Sequence, residues 1–244
     1  MHKFNNELSN FYLQDAYQHK KYRRKLNLCS SRFGRAVTQR IAFKSGSLLK
    51  RGLDIFAALA GLIILSPIFL IVAILIKAES KGPIFFKQER VGKFGRKFMM
   101  YKFRSMFVNA TQMRDALANE NEMTGGVIFK MKQDPRITKV GCFIRRSSID
   151  ELPQLINVLK GDMSIVGPRP ALQSEVDLYS LKDRRRLMIT PGITCLWQVN
   201  GRSEIPFDEQ VKLDLAYMES QNFWEDMKII AKTIPAILSG KGAF

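Results

Sequence analysis

Asp150 and Glu151 are adjacent carboxylates in a chain whose only histidines are His2 and His19. A Ser-His-Asp or Cys-His site is therefore excluded from the main body of the chain, as is a His-rich metal site. Acid–base or nucleophilic work falls to carboxylates, lysine or tyrosine. Arg145 and Arg146 precede the pair, and the rigid turn Gly167-Pro168-Arg169-Pro170 follows it, all within the 30 residues from Gly141 to Pro170. A nucleophile or acid, a metal-binding carboxylate and several arginines in so short a stretch point to phosphoryl chemistry. The plain alternative is a helix start decorated with acids.

The pair must be held by local structure. Ser148-Ile149-Asp150-Glu151 fits an S-x-x-E capping box, with Ser148 as N-cap and Glu151 three residues on. Pro153 is awkward inside such a helix, so a start at Pro153 itself is the rival. Either way the acids lie at the positive end of a helix dipole, which also favours phosphate. Gly161 reads as the stop. Upstream, Gly82 to Met106 reads as a hairpin, with strands at Ile84-Phe85-Phe86 and Phe98–Phe103 joined near Gly92 and Gly95. Lys102 and Arg104, two apart on a strand, share a face and can grip one phosphate group. No G-x-G-x-x-G or G-x-x-x-x-G-K-[ST] sequence is present.

Further helices are expected at Asn109–Asn121, Glu175–Ile189, Asp208–Met218 and Phe223–Leu238. Loops are expected at Gly125-Gly126, at Asp134-Pro135-Arg136 and from Pro191 to Arg202. Arg184-Arg185-Arg186 reads as solvated surface or as a contact for lipid headgroups. Trp197 fits core, interfacial anchor or base-stacking platform. The apolar face at 223, 227, 230, 231 and 234 fits either core or a membrane interface.

Composition sets the frame. The 244 residues carry 39 basic and 22 acidic side chains, a formal net charge of +17. That excess suits a polyanionic partner: nucleic acid, anionic lipid or a phosphorylated substrate. Cys29, Cys142 and Cys195 are far apart and form no C-x-x-C, which argues against zinc and disulfides and for a reducing compartment. Residues 1–49 are polar and basic, densest at Lys20–Lys25, and read as flexible or weakly helical; they lack the apolar core of a secretory signal. Ile55–Ile76 then runs 22 residues without a charge, long enough for a bilayer core of ~30 Å. Its flanks decide how it sits. Residues 1–51 hold 12 Lys/Arg, and residues 77–104 hold 9. Both flanks therefore belong on the cytoplasmic side. A straight span cannot satisfy that, whereas a helix broken at Ser66-Pro67 and returning can. An ordinary kinked span is the alternative.

SSIDELPQLINVLKGDMSIVGPRP, with YKFRSM before it and PGITCLWQVNGR after it, resembles the bacterial sugar transferase family, the monotopic polyprenyl-phosphate hexose-1-phosphate transferases. The resemblance covers about Lys50 to Phe244. It implies an α+β, mostly helical monotopic membrane protein: a kinked re-entrant helix, a short β-hairpin and amphipathic interfacial helices around a cytoplasmic catalytic domain. Residues 1–49 would be a basic extension, 50–78 the re-entrant helix with its kink at Ser66 and Pro67, and 79–244 the catalytic domain, at the bacterial inner membrane. It further implies that Asp150 is the nucleophile toward a UDP-sugar, that UMP leaves, and that polyprenyl (undecaprenyl) phosphate takes the phosphosugar. Such a reaction is the first membrane step of exopolysaccharide, capsule or O-antigen assembly. Glu151 would help hold Mg²⁺ and assist proton transfer. Lys102, Arg104, Arg145, Arg169, Arg202 and Asp214 match other polar motif positions: phosphate or uridine contacts for the basic residues, site organisation for Asp214. The family usually has glycine where this chain has Cys195; a positive φ there would strain a cysteine.

Anionic membrane lipids are expected partners and nucleic acid is not, while the oligomeric state, a homo-oligomer included, is left open. Two rivals stand against this reading. One is a membrane-anchored basic scaffold that binds lipid or nucleic acid without catalysis. The other is a membrane glycosyltransferase that moves a sugar without its phosphate and releases UDP.

Overall fold

The computed structural model describes residues 32–110, 113, 134–201 and 205–239, the side chains of 32–47, 238 and 239 excepted. The expected Gly125-Gly126 loop, most of the Asn109–Asn121 helix, Arg202 and the segment 1–31 lie outside these. The chain divides into residues 1–47 and a compact unit from Leu48 onward. Among the described residues it is mostly helical, with two small two-stranded sheets.

Helices α1 (Arg32–Ile64) and α2 (Ser66–Glu79) are separated by Leu65, and the Leu48–Ile64 part of α1 makes a 60° bend with α2. Proline at 67 cannot donate to the carbonyl of Ile63, and the Ser66 hydroxyl donates to that oxygen instead, at 2.8 Å. The break expected at Ser66-Pro67 is thus present. Among the described residues no single helix is long and apolar enough to cross a membrane, but Leu48–Ile64 and Ser66–Glu79 meet that test as a bent pair. Phe56, Ile63, Ile64, Leu70, Ile71 and Ile74 are exposed along it.

The other faces of this pair are fastened to the domain. Lys50 reaches Asp226 at 2.6 Å, Arg51 donates to the carbonyls of Val158 and Leu159, and Asp54 accepts from Ser164 and Ile165. At the far end of α2, Glu79 accepts from the first amides of α3 (Lys139–Arg146), at 2.7 and 3.0 Å. Arg104 caps the last turn of α2 through Lys81 O, Ser80 O and the Ser80 hydroxyl, at 2.8–2.9 Å.

Strands β1 (Phe85–Val91) and β2 (Lys97–Phe103) form the expected hairpin, antiparallel with Phe85 opposite Phe103 and Val91 opposite Lys97. β2 is the hub of the core. Met100 packs with Ala58, Leu155 and Val158, while Phe103 packs with Val72, Ile76 and Ile144. The strand thereby joins both arms of the bent pair to α3 and to α4 (Gln154–Lys160). Asn157 of α4, fully buried, behaves like a strand neighbour: its side chain accepts from Tyr101 N and donates to Met99 O. A parallel pair, β3 (Ser164–Val166) and β4 (Gly192–Thr194), lies between α4 and the C-terminal helices.

The expected Glu175–Ile189 helix is instead two pieces, α5 (Gln173–Asp177) and a 3₁₀ segment, Asp183–Met188. The break is a local start signal: Ser180 N donates to the Asp183 carboxylate while Asp183 N donates to the Ser180 hydroxyl, a reciprocal cap. The expected Pro191–Arg202 loop is likewise ordered, as β4 and α6 (Leu196–Asn200). Cys195 between them has φ −150°, extended backbone that any residue adopts, so it carries no strain. α7 (Phe207–Ser220) and α8 (Phe223–Ser239) follow. α8 buries Asp226 and Ile229, half-buries Ile230, and leaves Phe223, Trp224 and Ile234 exposed, so its apolar residues are split between core and surface.

Candidate active site

Asp150 and Glu151 do not begin an α-helix. Ser148 is not an N-cap: its φ is +56°, in the left-handed region, and its side chain caps nothing. The chain leaves α3 through this residue into a 3₁₀ turn, Ile149–Glu151, and α4 begins after Pro153. The rival start at Pro153 was the better reading, because a residue without an N–H belongs at a helix start. Gly161 ends α4 as expected, with φ +89° and its N–H shared between the Asn157 and Val158 carbonyls.

Two supports bring cations to the turn. β2 delivers Lys102, whose Nζ lies 2.6 Å from Glu151 Oε1 and 3.9 Å from Asp150 Oδ2. The Gly167–Pro170 turn delivers Arg169, whose Nη1 lies 3.3 Å from the same Glu151 oxygen. That turn is pressed against the start of β4: a Cβ on Gly192 would collide with the Gly167 N, so only glycine permits the approach. Arg145, in the last turn of α3, draws Asp150 toward its ionised form. These groups line one cleft of about 710 Å³.

The two acids are driven apart. Burial raises the pKa of Asp150 to about 6, against the pull of Lys102. Burial acts on Glu151 in the same direction, but Lys102 and Arg169 outweigh it and hold that carboxyl well below the usual range. Glu151 is thus a fixed anion. Asp150 is a more basic carboxylate, still ionised near neutral pH, with no direct hydrogen bond among the described residues. A basic, weakly solvated carboxylate beside a firmly charged one is what a nucleophile with an electrostatic partner requires.

Of the other expected residues, Arg104 does not join Lys102 in gripping one phosphate. It sits just past the end of β2, and its guanidinium is spent on Ser80 and the Lys81 carbonyl, just beyond the end of α2. Asp214 forms an ion pair with Arg186, both almost wholly buried, and Arg186 also lies over the Tyr179 and Phe207 rings. The basic triplet is therefore not simply a solvated or lipid-facing surface. Trp197 is buried on the cleft wall, and its indole N–H lacks an acceptor among the described residues. Sequence reading missed Arg90, Lys50, Arg51 and Asp54. Each is a charged residue near other charges, and nothing local distinguishes it from surface.

Comparison with known proteins decides the family. Residues 45–240 match the model of the bacterial sugar transferases. The chain belongs to the bacterial sugar transferase family. It is 50% identical over 197 residues to the galactosyl transferase CpsE of Streptococcus agalactiae serotype III, covering 80% of this chain and 43% of that protein. It is 41% identical over 211 residues to the undecaprenyl-phosphate galactose phosphotransferase of Salmonella typhimurium, covering 85% and 44%. The exopolysaccharide production protein ExoY of Rhizobium meliloti is 35% identical over 202 residues, with 82% and 89% covered. The chain thus spans less than half the length of the first two relatives but nearly all that of the third.

Proposed function

We propose that this sugar transferase moves a sugar 1-phosphate from a UDP-sugar to undecaprenyl phosphate, the first membrane step of exopolysaccharide, capsule or O-antigen assembly. The observation that carries the reading is the divided pair at the cleft, a basic Asp150 beside a firmly ionised Glu151 held by Lys102 and Arg169.

In the first step an Asp150 oxygen attacks the β-phosphorus of the donor. The bond from that phosphorus to the bridging oxygen breaks, UMP departs with the electron pair, and the phosphosugar remains on Asp150. In the second step an oxygen of the lipid phosphate attacks the same phosphorus, and Asp150 leaves as a carboxylate. Splitting the transfer means donor and lipid need not share the cleft. Lys102, Arg145 and Arg169 neutralise the phosphate oxygens, and the proline on each side of Arg169 lowers the entropic cost of placing its fork.

Mg²⁺ suits the same turn. Lys102 and Arg169 both bind Oε1 of Glu151, leaving Oε2 without a partner among the described residues. One or two carboxylates with substrate phosphates are a usual Mg²⁺ set, so Glu151, with Asp150 beside it, would hold the ion. The ion would offset charge on the transferring phosphoryl group.

The exposed apolar face of the bent α1–α2 pair would enter one leaflet of the inner membrane and return, with anionic headgroups meeting its basic flanks. Residues 48–54 and 79 tie that pair to the elements around Asp150. The catalytic domain would then lie on the cytoplasmic face, with Asp150 at the level of the acceptor phosphate.

The test is a screen of UDP-sugars, UDP-galactose first, with the full chain in detergent or nanodiscs and a short polyprenyl phosphate. UMP release that depends on the acceptor is the expected result. UDP release would identify a glycosyltransferase that moves the sugar alone, and no release with any donor would leave the scaffold reading.

A further inference from the structure

Arg90 is a buried charge with no counter-charge in contact. It stands near the end of β1 with 9% of its surface exposed. Its guanidinium donates to the Pro170 carbonyl at 3.2 Å and to the Gln88 side-chain oxygen at 2.8 Å, both neutral acceptors. Its Nε–H has no acceptor, and no carboxylate lies within ion-pair distance of it among the described residues. Its charged neighbour is another guanidinium, that of Arg169, and both line the cleft with Asp150 and Glu151. Glu175 and Glu151 act on Arg90 only from a distance. Glu175 is itself engaged by the Leu172 N–H at 2.8 Å.

Such an arrangement is costly by itself. A buried ion without a counter-charge destabilises the fold, and a second cation nearby adds to that cost. Burial and Arg169 together lower the pKa of Arg90 to about 10. The rest of the fold spends its buried arginines differently: Arg186 has Asp214, Arg136 has Asp134 at 2.6 Å, and Arg104 has a helix end. Arg90 is also held firmly. Val91 N donates to Ala171 O at 2.8 Å, so two successive residues of β1 clamp the chain just after Arg169.

We propose that Arg90 and Arg169 form a phosphate-binding pair in the cleft, with the Arg90 guanidinium, which has no carboxylate in contact, supplying charge and donors to a substrate phosphate oxygen. The missing anion is a phosphate group, which two substrates could supply: the diphosphate of the nucleotide donor or the monophosphate of the lipid acceptor. This assignment rests on the proposed transfer reaction for its choice of ligands, but binding is measurable without turnover.

The experiment uses the full chain in nanodiscs, as wild type, Arg90→Gln and Arg90→Lys. Binding of UDP, uridine and a short-chain polyprenyl monophosphate is measured by calorimetry, with Tm recorded for each ligand-free protein. If the pair serves the donor, Arg90→Gln weakens UDP at least about tenfold and leaves uridine unchanged. If it serves the acceptor, the same loss falls on the polyprenyl monophosphate. In either case the ligand-free Tm of Arg90→Gln is equal to or above wild type, because a buried uncompensated charge has been removed. Arg90→Lys keeps the charge without the fork and falls between the two. Unchanged affinity for all three probes overturns the proposal. So does a fall in Tm without a fall in phosphate affinity, which makes Arg90 a clamp on Pro170 and nothing more. Should Arg90→Gln fail to fold, undiminished phosphate binding by Arg90→Lys overturns it equally. UMP release by the wild type is scored separately: its absence, with phosphate binding lost in the variants, removes the reaction and leaves the pair.

Discussion

Asp214 and Arg186 form a closed pair, one acid to one base, almost wholly buried between α7 and the 3₁₀ segment before β4, with Arg186 touching the cleft wall. Asp150 and Glu151 share Lys102 at the wall of a cleft, Glu151 also binds Arg169, and Arg145 and Arg90 are nearby. In the first arrangement each charge meets its opposite. The second holds Glu151 tightly and Asp150 loosely, with no direct hydrogen bond to Asp150 among the described residues. A matched buried pair braces a fold, whereas an unequal cluster open to solvent waits for a charged ligand. The same residue types serve both, so the difference lies in stoichiometry and access.

Breaking the unequal cluster at its loose acid gives the largest expected effect. Asp150→Asn keeps the shape and removes the nucleophile. UMP release should fall by more than about a thousandfold, ~4 kcal/mol of transition-state stabilisation. Circular dichroism and membrane partitioning should be unchanged. Near-normal turnover in this variant would end the covalent reading. A phosphosugar adduct, sought by intact-protein mass spectrometry with donor alone, should appear in the wild type and not in the variant.

Breaking the closed pair should act on folding. Asp214→Asn leaves Arg186 buried without its anion, a loss of ~3–5 kcal/mol. The measurement is thermal unfolding, where Tm should drop by several degrees. Replacing both partners, Arg186→Met with Asp214→Leu, should recover most of that loss. Loss of substrate affinity in the double variant, with stability restored, would bring Asp214 back to the site.

Much of this contrast is invisible in sequence, for a physical reason. Features set by neighbours along the chain were legible: the Ser66-Pro67 break, the Gly92–Gly95 hairpin turn and Gly161 as a helix stop. Ser148 misled because S-x-x-E is a capping pattern only if a helix follows at once, and Pro153 delays it. The Ser180–Asp183 cap was legible and went unread beneath an otherwise helical pattern. Arg104 and Lys50 are different. Their partners, the Ser80 and Lys81 carbonyls and Asp226, lie 23 or more residues away, and a basic residue looks the same whether it caps a helix, pairs with an acid or faces water. Arg186 and Arg90 were hidden in the same way.

Arg169 offers a smaller test of the unequal cluster. Arg169→Lys keeps the charge beside Glu151 but loses the planar two-pronged donor. Activity should fall about tenfold, ~1.4 kcal/mol. Steady-state kinetics at saturating acceptor measures it. Unchanged kinetics would mean that Arg169 supplies charge alone, which Lys102 and Arg90 could then cover.

The smallest expected effect concerns how the cluster is carried. The bent pair is fixed to the elements around Asp150 by Lys50, Arg51, Asp54 and Glu79, so under the proposed membrane placement the bend would set the angle at which Asp150 meets the bilayer. Pro67→Leu with Ser66→Ala should restore a continuous apolar helix, since leucine at 67 regains the N–H that can bond to Ile63 O. That change favours spanning. The basic residues before Ile55 oppose it, and so do the ties at 50–54, which would have to break for the helix to straighten. A mixed population is therefore expected, with activity reduced severalfold rather than abolished. Single cysteines near residues 10 and 240, labelled from each side of intact cells, report the outcome. In the wild type both should be protected from outside. Reaction of the N-terminal cysteine from outside would mean that the pair spans, and that the 60° bend is a kink in a crossing helix instead of a return.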